Sequence, residues 1–290
     1  MLQMVGRALL VATVLLTSCD AFDIRGLVAP TGDVVDSRFE QSMLFNGGEA
    51  AAVVEAGETY TFYACADPHV NDTCDNLREF ATQMRNDPNA NFGIVLGDCV
   101  DRNSSALPNY VEAIGYVADF QATNMPIFSL IGNHDLFFDG WRDYSKLLGA
   151  SVYWFDVDFA AGCDLFIALD SASGTLGKRQ MKWLREFLAN ERGKYRHCVV
   201  LTHTNLFYAD NSQQGSGNMA LEEMAVLVEL FSRHNVTLCL QGHDHYREDL
   251  MLGGVRYTTV GTIQDGASKP EYLTVRMSNS GVEYQWGYVQ

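Results

Sequence analysis

The sequence predicts an α/β protein in which helices cover β-sheets, and three observations carry that reading. From Tyr60 onward, short apolar runs rich in β-branched and aromatic residues alternate with stretches of helical period. The chain has 290 residues, 47% hydrophobic and 19% charged, enough to bury the core of one large domain without covalent staples. Polar residues of metal-ligating type recur where the predicted strands end, the place where α/β folds gather their ligands.

Taken in order, strands are predicted at Tyr60 to Ala66, Phe92 to Gly97, Pro126 to Ile131, Val152 to Val157 and Leu165 to Leu169. Further strands follow at Cys198 to Thr202, Val236 to Gln241 and Val255 to Val260, with a hairpin toward the C-terminus. Three helical stripes obey the i, i+3, i+4, i+7 rule: Leu77, Phe80, Ala81, Met84; Tyr110, Ala113, Ile114, Val117; and Met224, Leu227, Val228, Phe231. Such stripes are core faces and carry no chemistry. Residues 19–59 lack long periodicity and hold Gly47-Gly48 and a small-residue run from Ala50 to Val54, so they read as a tether leading into an edge element.

Arg7 precedes an apolar stretch, Ala8 to Leu16, too short to span a bilayer but suited to the hydrophobic region of a signal peptide. Residues 1–18 are therefore expected to be removed. Leu16, Thr17, Ser18 and Cys19 resemble the lipobox of bacterial lipoproteins, which implies a cell-envelope protein held at the membrane by a lipid on Cys19. The net charge of −16 becomes −17 once Arg7 is lost, and so acidic a surface disfavours broad nucleic-acid binding. Without a Cys-x-x-Cys pair, the remaining cysteines (65, 74, 99, 163, 198 and 239) give no thiolate zinc site. Cys65, Cys99 and Cys239 fall in strand-like runs and read as small buried hydrophobes. Disulfide pairing stays open.

Five strand ends carry Asp67-Pro68-His69, Gly97-Asp98, Gly132-Asn133-His134-Asp135, His203 and Gly242-His243-Asp244-His245. Five of the seven histidines lie in these segments. Each alone has an ordinary explanation, such as an aspartate capping a turn. Together they offer carboxylate oxygens, imidazole nitrogens and one amide oxygen, a donor set for Zn, Mn, Fe, Co or Ni and not for a soft metal or calcium. One carboxylate, Asp98, is suited to lie between two such ions, which in dinuclear sites sit roughly 3.5–4 Å apart.

These blocks, in this order, resemble the calcineurin-like metallophosphoesterases over Tyr60 to Val260. The resemblance implies a four-layer α/β/β/α double β-sandwich over residues 60–290 and hydrolysis of phosphate esters by a hydroxide generated on two transition-metal ions. It assigns Asp67, His69 and His245 to the first metal, Asn133, His203 and His243 to the second, and Asp98 to both. His134 would face the phosphate and protonate the leaving oxygen. Asp101 and Arg102 complete a Gly-Asp-x-x-Asp-Arg block that implies a carboxylate partner for His134 and an arginine for phosphate.

Two departures narrow the branch. Asp135 stands where the serine/threonine phosphatases usually have glutamate, and Asp101 stands where purple acid phosphatases place a ligating tyrosine. The segment Leu169-Asp170-Ser171 with Gly174, Gln180, Trp183 and Leu184 is similar to one in the small-diester and cyclic-nucleotide phosphodiesterase branch. The expected substrate is thus a small phosphodiester or phosphomonoester, not a nucleic acid. A nuclease of the same superfamily is a weaker reading, because such nucleases tend to carry a histidine where Asp101 stands. A non-catalytic metal- or sugar-binding lipoprotein is the third, since fold alone does not imply function, but such relics usually lose ligands and none is missing here.

Overall fold

The structure is a computed structural model that describes residues 31–70, 73–101, 125–160, 162–207 and 219–289, and the statements below concern these residues. The leader, Cys19, Arg102 and the helix predicted around Tyr110 to Val117 lie outside them.

Two sheets form the body. The larger has seven strands in the order β1-β5-β6-β7-β8-β10-β9, where β1 is Val53–Glu55, β5 Tyr153–Phe159, β6 Gly162–Ala168, β7 Cys198–Leu201, β8 Leu238–Gln241, β9 Glu248–Leu252 and β10 Val255–Thr259. The smaller has five in the order β12-β11-β2-β3-β4, where β2 is Tyr60–Cys65, β3 Ala90–Val95, β4 Ile127–Ser129, β11 Glu271–Ser278 and β12 Gly281–Tyr288. Period-2 alternation aims Phe62 and Ala64 of β2, Phe92 and Ile94 of β3, and Leu273, Val275 and Met277 of β11 between the sheets. There they meet Phe155, Phe166, Val199, Leu201, Leu238 and Leu240 of the larger sheet. Phe92 is the hub, edge-on to Phe155 and Phe166 with ring centroids 5.6 and 5.4 Å apart.

Helices close the two outer faces. Before β1 comes α1, Thr31–Phe45; α2 is Asp75–Asn86, α3 Gly140–Leu147, α4 Gly177–Glu191 and α5 Leu221–Arg233. Leu184 and Leu188 of α4 and Leu227, Leu230 and Phe231 of α5 bury against Ile167, Val200, Cys239 and Tyr257. On the other side Phe80, Ala81 and Met84 of α2 bury against Tyr63, Cys65 and Val95. The helical stripes of α2 and α5 are thus core faces, and the four layers are α/β/β/α. His234 ends α5 as its C-cap, and no disulfide joins the six described cysteines, five of them buried.

One segment departs from expectation. Residues 31–45, read from sequence as part of a tether, form α1. Its buried face is Val35, Arg38, Phe39 and Ser42, a helical i, i+3, i+4, i+7 set in which half the members are polar. An apolar-periodicity rule cannot see such a face. After α1 the chain supplies β1, which pairs with β5 at the edge of the larger sheet.

The start of α2 has an unusual cap. Its N-cap residue, Cys74, does not cap the helix through its side chain, and Asp265, from the loop after β10, accepts instead from the backbone N–H of Asp75 and Asn76 at 2.9 and 2.8 Å. Burial alone would raise this carboxyl, but these bonds and one from Thr73 hold it below its ordinary value. Asp265→Ala is expected to cost about 1 kcal/mol in urea unfolding at neutral pH. A folded-state pKa below the unfolded one contributes stability that is complete above the ordinary carboxylate value and vanishes as pH falls through the folded value. The gap between wild type and variant should therefore hold near neutrality and shrink in acid; a gap independent of pH would mean the carboxylate is not the cap.

Candidate metal centre

Strand direction assembles the site. β2, β3 and β4 are mutually parallel in one sheet and β7 and β8 in the other, so their carboxyl ends share one edge of the sandwich. Asp67 and His69 follow β2, Asp98 follows β3, Asn133 follows β4, His203 follows β7, and His243 and His245 follow β8. Backbone bonds stitch the loops together: His69 N–H to Asp98 O at 3.0 Å, Asp67 N–H to Gly97 O at 3.2 Å and Gly242 N–H to His203 O at 2.9 Å. A neighbouring bond, from Thr262 Oγ1 to Asp67 O at 2.8 Å, ties in the chain after β10.

This convergence carries backbone strain. Asp67, His69, Asp98, His243 and His245 all have φ between +42° and +76°, a region costly for side chains other than glycine, at about 1–3 kcal/mol each. Glycine is required where the backbone passes closest: a Cβ on Gly97 would lie 2.6 Å from His203 Nδ1, and one on Gly132 would lie 2.1 Å from Asp98 Oδ1.

The side chains form two sets joined by one residue. In the first, His69 Nε2 and His245 Nε2 are 3.0 Å apart, and Asp67 Oδ1 lies 3.9 and 3.7 Å from them. In the second, His203 Nε2 lies 3.0 Å from Asn133 Oδ1 and 3.2 Å from His243 Nδ1. Asp98 stands between: Oδ2 is 3.6 Å from His69 Nε2, and Oδ1 is 3.4 Å from His203 Nε2. All seven residues predicted as ligands are brought together.

Such a cluster is able to hold cations. Ligand atoms held about 2.0–2.2 Å from an ion stand roughly 3–4 Å from one another, the spacing seen here. Asp67 is fully buried; its Oδ2 accepts the His243 N–H at 2.9 Å, while its Oδ1 has no hydrogen-bond partner. A buried orphan oxygen facing two imidazole nitrogens is a deficit that a metal ion removes. His203 donates Nδ1–H to the Leu96 carbonyl at 2.8 Å, since a carbonyl can only accept, and this turns Nε2 toward Asp98, Asn133 and His243.

Protonation follows from the same crowding. Burial alone would raise Asp98, but His203 outweighs it and holds the carboxyl well below the usual carboxylate range. Burial would likewise lower His203, and Asp98 instead keeps it protonated far above its ordinary value. Chiefly by burial, His69 is pushed down to about 3 and His243 to about 4, and His245 also falls, so these three imidazoles are neutral and ready to ligate. Asp67 is pushed up to about 8 by burial, with Asp98 adding to the rise.

His134 sits beside the first set, its ring edge-on to His69 with centroids 4.5 Å apart. Its Nδ1 donates to the backbone carbonyl of Asp101 at 2.7 Å, whereas the Asp101 carboxylate is 3.8 Å away. The expected partner is the right residue, and it meets the ring twice, more closely through its backbone carbonyl than through its carboxylate. The same carboxylate lies 3.8 Å from His69 Nδ1. One ligand atom each of His69, Asp98 and His134 fall within 4.8 Å of one another, so proximity by itself does not separate ligand from acid.

Residues outside the predicted ligand set hold these loops, and of them Asn205 carried no signal in the sequence. Asp135 accepts from Val100 N–H at 3.2 Å and Gly132 N–H at 2.9 Å, clamping the β3 and β4 loops together. Asn205 Nδ2 donates to Asp244 Oδ2 at 2.6 Å, locking the loop of His203 to that of His243 and His245. Ser171 Oγ accepts from the N–H groups of His203 and Thr204, and Asp170 is paired with Arg38. The Asp170 to Leu184 segment, read as a mark of the diester branch, is thus scaffold in every contact described here: Gln180 bonds the Asp170 backbone, and Leu184 is core.

The fold and this cluster of Asp, Asn and His side chains are of the metallophosphoesterase kind. The family model for calcineurin-like phosphoesterases matches residues 60–247, and the chain belongs to that family of metal-dependent phosphoric ester hydrolases. Among solved structures, a dimetal phosphatase from Danio rerio is similar with a TM-score of 0.61 at 15% identity, over 80% of this chain and 99% of that one. GAP50 of Plasmodium, described as the anchor in the inner membrane complex, also gives 0.61 at 13% identity, over 80% of this chain and 85% of that one. A purple acid phosphatase from yellow lupin gives 0.54 at 13% identity, over 79% of this chain and 52% of that one. At these identities the likeness is one of fold. None of the curated proteins matches significantly.

Proposed function

We propose that the chain hydrolyses small phosphate esters, diesters or monoesters, at a dinuclear transition-metal centre. The observation that carries this reading is Asp98, whose two oxygens face two separate ligand sets. Asp67, His69 and His245 would hold one ion and Asn133, His203 and His243 the other. When bound, such a pair supplies Lewis acidity toward phosphoryl oxygens and makes water a nucleophile at neutral pH. The protein's own work is to hold the ligands, keep three imidazoles neutral and place a proton donor. With Nδ1 of His134 committed to the Asp101 carbonyl, Nε2 is the atom that hands a proton to the leaving oxygen.

The anchor described for GAP50 shows that a neighbour's name need not be that of an enzyme, so fold alone does not establish turnover. Complete ligand sets favour the enzyme here. The test is a screen of metal-stripped and reconstituted full-length protein against chromogenic mono- and diesters. Expected are close to two equivalents of metal, activity lost with a strong chelator and restored by metal, and diesters turned over at least as well as monoesters. Because His203 must surrender a proton to ligate, affinity should weaken as pH falls. Full turnover by metal-free protein would sink the mechanism, and a strong monoester preference would move it toward the phosphatases.

For location, a lipid on Cys19 at the bacterial cell envelope remains our proposal from residues 16–19. Mature protein should partition with membranes, and Cys19→Ala should abolish lipid attachment. A wholly soluble wild type without lipid in its N-terminal mass would contradict it.

A further inference from the structure

The helix α1 lies outside the stretch that matches the family, yet a chain of buried contacts joins it to a candidate metal ligand. Arg38 on α1 is 3% exposed and grips the fully buried Asp170 with two bonds, Nε to Oδ2 at 2.7 Å and Nη2 to Oδ1 at 3.0 Å. A third bond, Nη2 to Ser173 Oγ at 3.0 Å, spans the same loop after β6. The residue after Asp170, Ser171, accepts His203 N–H at 3.1 Å and Thr204 N–H at 3.0 Å through Oγ. Its own carbonyl accepts Thr204 Oγ1 at 2.7 Å. The ring of His203 is fixed from the other sheet by Leu96, and its backbone is fixed from this side.

We propose that Arg38 is a positioning residue for the metal centre, acting through Asp170 and Ser171 on His203, and that α1 is a working part of that centre. The inference rests on the metal site proposed above. Stability alone is a poor reason for this pair, because a buried ion pair is often matched or bettered by packed apolar residues of similar volume. A planar fork gripping one carboxylate supplies fixed geometry, and the loop it fixes is the one whose Ser171 holds the backbone of His203. His203 belongs to the set with Asn133 and His243, not to the set with His69 and His245, so the effect should be unequal between the two ions.

The experiment is a calorimetric titration of metal-stripped full-length protein with Mn(II). Arg38→Met is the direct variant; Arg38→Met with Asp170→Asn is its partner, which leaves no unpaired carboxylate to unfold the chain. In folded variants one equivalent should keep wild-type affinity while the other weakens about 10–100-fold. Arg38→Lys, which keeps the charge and loses the fork, should fall between. Arg196→Met, which breaks the pair with buried Asp164 before the start of β7, at the opposite end of that strand from His203, should bind both equivalents as wild type does. Folded Arg38 variants that bind both equivalents normally, with only a lower unfolding midpoint, would overturn the proposal, and so would equal weakening of both. A wild type that binds no Mn(II) would overturn the metal centre itself, a distinct result that takes this inference with it.

Discussion

Asp98→Ala is expected to be the most damaging change to the site, removing metal and turnover together. Its two oxygens serve both ligand sets, so its loss takes a ligand atom from each and leaves two cations less screened from one another. It also removes the acceptor of the His134 N–H at 2.8 Å, loosening the loop after β4. Metal-ion stabilisation of developing charge is worth several kcal/mol, so turnover should fall by about 10³-fold or more. Metal content by elemental analysis checks the cause. If Asp98→Ala retains two equivalents with wild-type affinity, Asp98 is not the residue shared between the ions.

His134→Ala is expected to reduce turnover by about 10²–10⁴-fold while metal content stays at the wild-type level. The orientation of the ring motivates this, since Nδ1–H donates to the Asp101 carbonyl and leaves Nε2 for the substrate. Proton donation matters most where the leaving oxygen is basic. The loss should therefore be large for diesters with high-pKa alcohols and small for nitrophenyl esters, whose leaving groups depart without a proton. Comparing kcat across such a series is the measurement. Loss of a metal in His134→Ala, which its proximity to His69 and Asp98 makes a fair competitor, would reassign the residue as a ligand. Equal slowing of every leaving group would make it a positioning residue.

The alternation of strand and helix made the layered architecture legible, because period-2 and period-3.6 burial are written into local sequence. The stripe ending at Met84 and the one ending at Phe231 are both buried faces. Strand ends were right to within a few residues, the expected result when pairing partners set the boundary. β9 escaped notice: all five of its residues are exposed, so it has no buried alternation to read. The helix α1 was missed for the related reason that two of its four buried residues are polar.

By itself the sequence determined the ligand types, their order and their placement at strand ends, because ligand chemistry depends on residue identity and each block is only a few residues long. Which atoms face which was decided by the tertiary structure. The split of Asp98 between two sets, the orphan oxygen of Asp67 and the grip of Leu96 on the His203 ring depend on two sheets packed face to face with their strand-end loops side by side. So does the brace from Arg38, whose partner Asp170 lies 132 residues away. A hydrogen bond has a range of about 3 Å and no memory of sequence distance, so contacts of this kind exist only once the chain has folded.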